Sequence, residues 1–473
     1  MQISKYIQWI EHNKKWMFAI MAAILIVSYT INFFFLETFI DHSYYINCSR
    51  LILEGKYPFT DFNPAYPPLV YYIGAVVLRI FPDTVYTHLM VLYAFIAADT
   101  FIIYKLAKKL NASSSVTSLT IFYFLFLMIK SDGTAYVLEP FVLFFGLLSL
   151  LVVQSRNKMM LFVAGMLAMC AAWCKQYGVG FVCLSCLYPI VESQSIGKKI
   201  TKALIIIAGI AAGFFTLFGI SQLNGAEYSD LSMLSGNSYQ RHGFDSLLNG
   251  YFKFSGIAHI FVVFLFLIPY YFRTLIKKPM AWICVAGIIG FMMQCYVRNF
   301  RHYMILAIPF VVLLIPIVIN CFKTQKAKTI FLSLVCVSLL AKSIELIVKD
   351  CNVVRQNGRA KEVAIAKELA ETIPYGTDDV YVSIRALRST AHNYYKPSLI
   401  QEHGMANGFA DGTITTNEYL STCQWLVIDD EDMKDSARFN GASFAILQSQ
   451  YQLVKHLTGE GGNPALTVYK RNK

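Results

Sequence analysis

Charged side chains are scarce in this sequence. They make up 15% of its 473 residues, while hydrophobic residues make up 56%. A typical soluble domain carries about 25% charged residues. The composition therefore excludes a soluble globular protein and indicates several membrane spans.

The sequence also lacks a basic patch of the kind that binds nucleic acid, although its net charge is +12. Residues 1–349 carry 28 basic and 14 acidic side chains, whereas residues 350–473 carry 13 and 15. The positive excess thus belongs to the apolar part of the chain, where it reflects orientation in the bilayer. We expect membrane lipid, and no nucleic acid, among the partners.

Two further features are missing. The first apolar stretch has no small-residue cleavage site, so we expect a retained anchor and no cleavable signal peptide. The eleven cysteines do not suggest disulfides, because most of them lie in or beside apolar runs, where a thiol acts as a small hydrophobe. Cys183 and Cys186 have metal-ligand spacing but no polar partner pair, and we expect them to serve packing.

The apolar runs predict about eleven transmembrane helices, since a helix needs about 20 residues to cross a bilayer. They lie near 16–36, 84–104, 115–130, 139–154, 159–174, 177–191, 203–222, 256–272, 279–297, 303–321 and 329–348. Lysine and arginine clusters fall in every second loop, as the positive-inside rule requires. The N-terminus is therefore predicted to be cytoplasmic and the C-terminus extracytoplasmic, in a multi-pass protein of a bacterial cell membrane or inner membrane.

Residues 37–83 must then begin and end on the outer side. Their apolar part, 67–81, is short and bounded by prolines, so we predict an interfacial or re-entrant helix there. We divide the chain into a transmembrane domain, 1–349, and a small extracytoplasmic α/β domain, 350–473.

The second domain contains a helical pattern over 359–372 and β-rich runs that start at Val380, Trp425, Tyr451 and Leu466. It has no glycine-rich phosphate loop. We interpret the acidic run 429–432 as an exposed turn, in preference to a cation site.

Acids and bases gather at span ends on the predicted outer face. Asp41 follows the first span, and Glu139 precedes Pro140 at the predicted start of a later helix, where a carboxylate is favoured by the helix dipole. Lys175 and the segment 298–303 place cations on the predicted outer face, where the positive-inside rule expects few positive charges. Snorkelling explains one such lysine, but two groups of cations favour binding of a lipid-linked phosphate.

These motifs, in this order, resemble the GT-C class of integral-membrane glycosyltransferases, which take sugars from polyprenyl-phosphate carriers and include protein O-mannosyltransferases and lipid A aminoarabinose transferases. The class has an acid and a tyrosine after the first span, a glycine element, a proline run, a second acid and an arginine-histidine-tyrosine element. In this sequence the matching segments are Asp41 with Tyr45, Gly55-Lys56-Tyr57-Pro58-Phe59, Tyr66-Pro67-Pro68-Leu69, Glu139-Pro140 and Arg301-His302-Tyr303. Many members have adjacent acids after the first span, whereas Asp41 is followed by His42.

The resemblance implies a GT-C-like membrane fold and inverting transfer of a sugar from a polyprenyl-phosphate-linked donor to a glycan, lipid or protein acceptor. Asp41 and Glu139 would be the catalytic carboxylates, with Asp41 as the base. Donor phosphate binding is assigned to Lys175, Arg298, Arg301 and His302. Substrate positioning is assigned to Tyr45, Asp61, Tyr66 and Tyr303. No cofactor is required by these motifs, and a divalent metal stays open.

Two other functions fit parts of the pattern. A transporter or flippase of a lipid-linked saccharide would explain the spans and their ions, but it predicts an internal repeat or paired broken helices near mid-bilayer. The sequence has no repeat, and its charges gather on one face instead. A glycan polymerase or ligase would carry its basic residues in one large outer loop. The loop 223–255 holds only Arg241, His242 and Lys253, which ranks this function lower.

Overall fold

The computed structural model of the chain describes residues 2–62, 64, 66–192, 195–223, 243–374, 376–377, 379–383, 385–392, 417–434, 439–457 and 466–472. Arg241 and His242 lie outside these residues. The described part consists mostly of helices, with one small sheet near the C-terminus.

Fifteen described helices precede the first strand. They are α1 (Gln2–Phe35), α2 (Ile40–Leu53), α3 (Leu69–Ile80), α4 (Val85–Lys109), α5 (Ser114–Lys130), α6 (Glu139–Val152), α7 (Lys158–Cys174), α8 (Val179–Val191), α9 (Ile196–Leu223), α10 (Gly243–Ile257), α11 (His259–Leu275), α12 (Pro279–Met292), α13 (Ile308–Ile319), α14 (Gln325–Gln356) and α15 (Gly358–Thr372). Short 3₁₀ helices cover Gln176–Gly178, Met293–Tyr296 and His302–Ala307.

All eleven apolar runs are helical, as predicted, and their starts follow local capping rules. Thr84, Ser113, Asn157 and Thr324 are N-caps whose side chains accept a backbone N–H of the first turn. Within the described residues, six helices are long and apolar enough to cross a membrane, or seven if α10 and α11, bent by 105°, form one span. Since α5 to α8 are shorter, the total of eleven spans stays a prediction, as does the orientation of the termini.

The core of the bundle lies around α13. Every residue of this helix is buried, which is expected for a helix that is apolar on all sides. It packs against α5 and α12. Cys183 is exposed and Cys186 is half-buried on α8, a helix within a predicted span, so their role in packing stays a prediction; all eleven cysteines are free.

Residues 243–255 were predicted to belong to the loop 223–255, and that prediction is wrong. They lie in α10, which packs against the 3₁₀ helix Met293–Tyr296. Leu247, Phe254 and Ile257 are buried, so the helix forms because tertiary contacts cover its apolar side chains.

The helix α2 ends in a Schellman motif at Gly55, the first residue of the predicted glycine element 55–59. Gly55 has a φ of +85°, Gly55 N donates to Ile52 O at 3.0 Å and Lys56 N donates to Leu51 O at 2.9 Å. A left-handed residue at this position favours glycine. The helix predicted at 67–81 is α3, and its interfacial or re-entrant placement stays a prediction. It packs on α2 where Gly74 faces Ser49; a Cβ at Gly74 would lie 2.2 Å from Ser49 Oγ.

The C-terminal sheet has the order β1-β2-β4-β3. Its strands are β1 (Val380–Val382), β2 (Trp425–Asp429), β3 (Tyr451–Leu457) and β4 (Leu466–Arg471), and three further helices are α16 (Asn417–Thr422), α17 (Asp430–Met433) and α18 (Gly441–Gln450). Strands β1 and β2 are parallel, and the other two pairs are antiparallel. The four strands and the preceding helix were all predicted, so this part of the chain has the expected α/β character.

The acidic run 429–432 is exposed only in part, at Asp430 and Glu431, in contrast to the prediction of an exposed turn. Asp429 and Asp432 are buried. Asp429 caps α17 by accepting Glu431 N at 2.8 Å, and Asp432 accepts Arg385 N at 2.8 Å. The carboxylates are buried because they accept backbone N–H groups that would otherwise lack partners.

Candidate active site

A buried ion pair joins two predicted site residues. Lys175 Nζ donates to Glu139 Oε1 at 2.6 Å, and the two side chains are 1% and 0% exposed. Glu139 begins α6, with Pro140 in the first turn, as the sequence predicted. Glu139 Oε2 is buried and has no hydrogen-bond partner among the described residues.

The local backbone explains how Lys175 reaches this position. Lys175 ends α7 with an extended conformation, and the 3₁₀ helix Gln176–Gly178 turns the chain back toward α8. Gly178 N donates to Lys175 O at 2.8 Å. A Cβ at Gly178 would lie 2.1 Å from the carbonyl oxygen of Ala171, so the close approach of this turn to α7 requires glycine.

Three tyrosine rings surround the ammonium group of Lys175. Its Nζ lies 4.9 Å from the ring centroid of Tyr66, 4.7 Å from that of Tyr303 and 5.7 Å from that of Tyr177. The faces of aromatic rings stabilise a desolvated cation. Tyr66 and Tyr303 were predicted as site residues, whereas Tyr177 was missed, although it stands only two residues after Lys175.

The tyrosine cage connects Lys175 to the helix that carries Asp41. Tyr45 lies one helical turn after Asp41 on α2, and its ring is 6.0 Å from that of Tyr66 in an edge-to-face arrangement. Asp41 is in the first turn of α2, where the helix dipole favours a carboxylate. Its side chain is half-buried.

His302 closes the cluster from the opposite side. Its ring lies 4.7 Å from that of Tyr303 and stacks on Phe300 at 5.6 Å. It interacts electrostatically with Glu139, Lys175 and Asp41. The structure thus brings Glu139 and Lys175 into direct contact and places these two charges and that of Asp41 within electrostatic range of His302, although the four residues span more than 260 positions of sequence.

Three predicted site residues lie at the edge of this cluster or outside it. Arg301, directly before His302, is exposed and interacts electrostatically with Lys349. The guanidinium of Arg298 lies 5.8 Å from the ring centroid of Phe300. Asp61 is exposed, and its carboxylate accepts Tyr57 N at 2.7 Å, so it holds a local turn.

Charges on α14 were missed by the sequence analysis. Lys349 lies 3.7 Å from Asp132, and the carboxylate of Asp350 accepts Ser28 Oγ at 2.5 Å. The available signal was a pair of charged residues directly after the apolar run 329–348. Asp350 also lines an apolar cavity of about 560 Å³ between α1 and α14, together with Ile31 and Ile347.

His42 occupies the position of the second acid found in many GT-C enzymes. Its ring stacks on Tyr136 with a centroid distance of 4.8 Å. Burial, together with the nearby charges of His88 and Arg359, lowers the pKa of His42 well below its usual value. His42 is therefore neutral at pH 7.

Within the described residues, the site does not offer a preformed metal centre. No group of three His, Cys, Asp or Glu side chains in the described part of the chain has metal-binding geometry, and Glu139 is already paired with Lys175. We therefore assign no step to a divalent ion.

Comparison with solved structures defines the fold. ArnT from Cupriavidus metallidurans, solved bound to undecaprenyl phosphate and in the apo state, has a TM-score of 0.65 and 10% sequence identity, and the match covers 95% of this chain and 97% of ArnT. This chain has the fold of the GT-C glycosyltransferases.

A second GT-C neighbour agrees with the first. The archaeal oligosaccharyltransferase AglB from Archaeoglobus fulgidus, in complex with an inhibitory peptide and a dolichol-phosphate, has a TM-score of 0.51 and 10% identity, with 98% of this chain and 75% of AglB covered. No protein-family model and no curated protein matches the sequence. At 10% identity the GT-C likeness establishes the fold, and the activity must be argued from the site.

Proposed function

We propose that this protein is an inverting glycosyltransferase that moves a sugar from a polyprenyl-phosphate carrier to an acceptor hydroxyl on the extracytoplasmic side of the membrane. The observation that carries the proposal is the cluster of Asp41, Glu139, Lys175 and His302 within a chain-wide GT-C fold. The solved neighbours were bound to undecaprenyl phosphate and to dolichol-phosphate, which supports a lipid-linked donor here.

Asp41 is the general base in this reaction. It takes the proton of the acceptor hydroxyl while the hydroxyl oxygen attacks the anomeric carbon from the face opposite the phosphate. The bond between that carbon and the phosphate oxygen breaks, and polyprenyl phosphate leaves with the bonding electrons. A positioned base contributes about 10²–10⁴ in rate.

The cations stabilise the leaving group. Lys175 Nζ has two N–H groups beyond the one bonded to Glu139. The other cations, Arg298, Arg301 and His302, lie on the segment 298–303, whose Tyr303 ring contacts Lys175. Charge grows on the phosphate as the bond breaks, so these interactions are strongest in the transition state.

Glu139 orients the acceptor. Its Oε2 is buried without a partner among the described residues, and such an atom is costly unless a ligand satisfies it. An acceptor hydroxyl bonded there would lie beside Lys175, the cation assigned to the donor phosphate. Tyr45, Tyr66 and Tyr303 form the aromatic wall against which a sugar packs, and the cavity between α1 and α14 is apolar enough for part of an isoprenoid chain.

The test is to incubate the purified protein with a panel of polyprenyl-phosphate sugars and acceptors, and to measure release of polyprenyl phosphate. We expect turnover of at least one donor by the wild-type protein and a loss of about 10²–10⁴-fold in Asp41→Asn. Arg156→Lys, at an exposed arginine in the loop between α6 and α7, is the control. Near-normal transfer by Asp41→Asn at equal expression would refute the assignment of the base. Transport of a lipid-linked saccharide without bond cleavage would favour the flippase alternative.

A further inference from the structure

The start of α2 is held by a side chain from the C-terminal part of the chain. The carboxylate of Glu362, on α15, accepts three hydrogen bonds from Thr38: from Thr38 N at 2.8 and 3.0 Å, and from Thr38 Oγ1 at 2.8 Å. Thr38 is 1% exposed and Glu362 is 4% exposed. Hydrogen bonds to a carboxylate are stronger than those between neutral groups.

Further contacts show that residues 37–43 pack tightly against the C-terminal part of the chain. A Cβ at Gly358 would lie 2.9 Å from Cβ of Glu37. The carbonyl oxygen of Arg388 accepts Thr38 Oγ1 and Ser43 Oγ, each at 3.4 Å, and the Arg388 guanidinium lies 3.5 Å from Glu37.

This external anchor matters because α2 has no side-chain cap of its own. Phe39 occupies the N-cap position and forms no side-chain cap hydrogen bond. Asp41 lies in the first turn of α2, three residues after Thr38. The position of Asp41 therefore depends on how firmly Thr38 is held.

We propose that Glu362 is a positioning residue that acts through Thr38 to hold Asp41 in its reactive place, so that the C-terminal domain takes part in catalysis. This inference rests on the proposed function for its kinetic effect. The physical reason is that a shift of about 1 Å in a reacting group can cost about 10²-fold in rate.

The variants follow from the three hydrogen bonds. Thr38→Val removes the hydroxyl donor and keeps the side-chain shape, while Thr38→Ser keeps the donor. Glu362→Gln removes the negative charge of the acceptor. Glu368→Gln is the matched control, because Glu368 lies on the same helix and pairs with Lys455 at 3.4 Å, while its side chain is 50% exposed.

Two measurements on the full chain separate anchoring from catalysis. The first is hydrogen exchange of residues 36–46, and the second is transfer from a polyprenyl-phosphate sugar, with kcat and KM determined separately. For Thr38→Val and Glu362→Gln we expect faster exchange and a kcat lowered by about 10–100-fold, with donor KM within about twofold. Thr38→Ser and Glu368→Gln should match the wild type in both measurements.

Each outcome decides between the two claims. Unchanged exchange in Glu362→Gln and Thr38→Val would overturn the anchor itself. Faster exchange with unchanged kcat would overturn the positioning role. If the wild-type protein transferred no sugar, the proposed function would fail, and the exchange data would still show whether Glu362 holds α2.

Discussion

Replacing Lys175 by methionine leaves the carboxylate of Glu139 buried without its cation. The two groups are 2.6 Å apart and almost fully buried. Breaking such a pair by removing one partner costs about 3–5 kcal/mol. We therefore expect Lys175→Met to lower the free energy of unfolding by about 3–5 kcal/mol.

The double variant Glu139→Gln, Lys175→Met removes both charges together. Since a neutral pair carries no large desolvation penalty, we expect it to recover at least half of the stability that Lys175→Met loses. Transfer activity should not recover, because the phosphate would still lack its lysine and the acceptor its carboxylate. A stable but inactive double variant would separate the two roles of this pair.

The assay is reversible denaturant unfolding in mixed micelles, with transfer measured on the same preparations. Lys202→Met is the control, because Lys202 pairs with Glu192 at the same distance of 2.6 Å with side chains that are 14% and 24% exposed. A partly solvated pair contributes about 1 kcal/mol or less. If Lys175→Met cost no more than Lys202→Met, the claim that Glu139 depends on a buried cation would be wrong.

Three further predictions test other parts of the structure. Gly178→Val should destabilise the protein by about 1–3 kcal/mol and reduce transfer, because a Cβ would lie 2.1 Å from the Ala171 carbonyl oxygen. The control is Gly197→Val, because no atom lies within 4 Å of a Cβ at Gly197. Equal losses of stability in the two variants would contradict this reasoning. Arg301→Lys should raise the donor KM about tenfold, since lysine lacks the bidentate fork, and an unchanged KM would remove Arg301 from the phosphate site. Burial raises the pKa of Asp429 to about 6, above its unfolded value of about 3.9. The contribution of protonated Asp429 to the free energy of unfolding is therefore fully present below a pH of about 3.9 and is lost as the pH rises through 6. Asp429→Asn should then have a higher free energy of unfolding than the wild type at pH 8, and the difference should shrink toward pH 4. Unfolding curves at both pH values measure this difference. A difference that is the same at pH 8 and pH 4 would contradict the raised pKa of Asp429.

The sequence by itself determined the apolar helices and the four strands. Apolar runs, capping residues such as Ser113 and a glycine at position 55 act over a few residues, so their outcome is readable without knowledge of the rest of the chain. The acids and bases at span ends could be recognised for the same reason, because a charged residue beside an apolar run is visible in the sequence alone. It also explains a failure: α10 was missed because its short apolar stripe becomes stable only when Met293–Tyr296 covers it.

Only the tertiary structure decided which charges meet. Lys175 pairs with Glu139 across 36 residues, and Glu362 holds Thr38 across 324. Sequence patterns show that a helix is polar at one point, but the packing of the helices determines which neighbour that point faces. The desolvation that makes the Lys175 pair strong and the aromatic cage that surrounds it exist only once those helices are packed, because both depend on the exclusion of water.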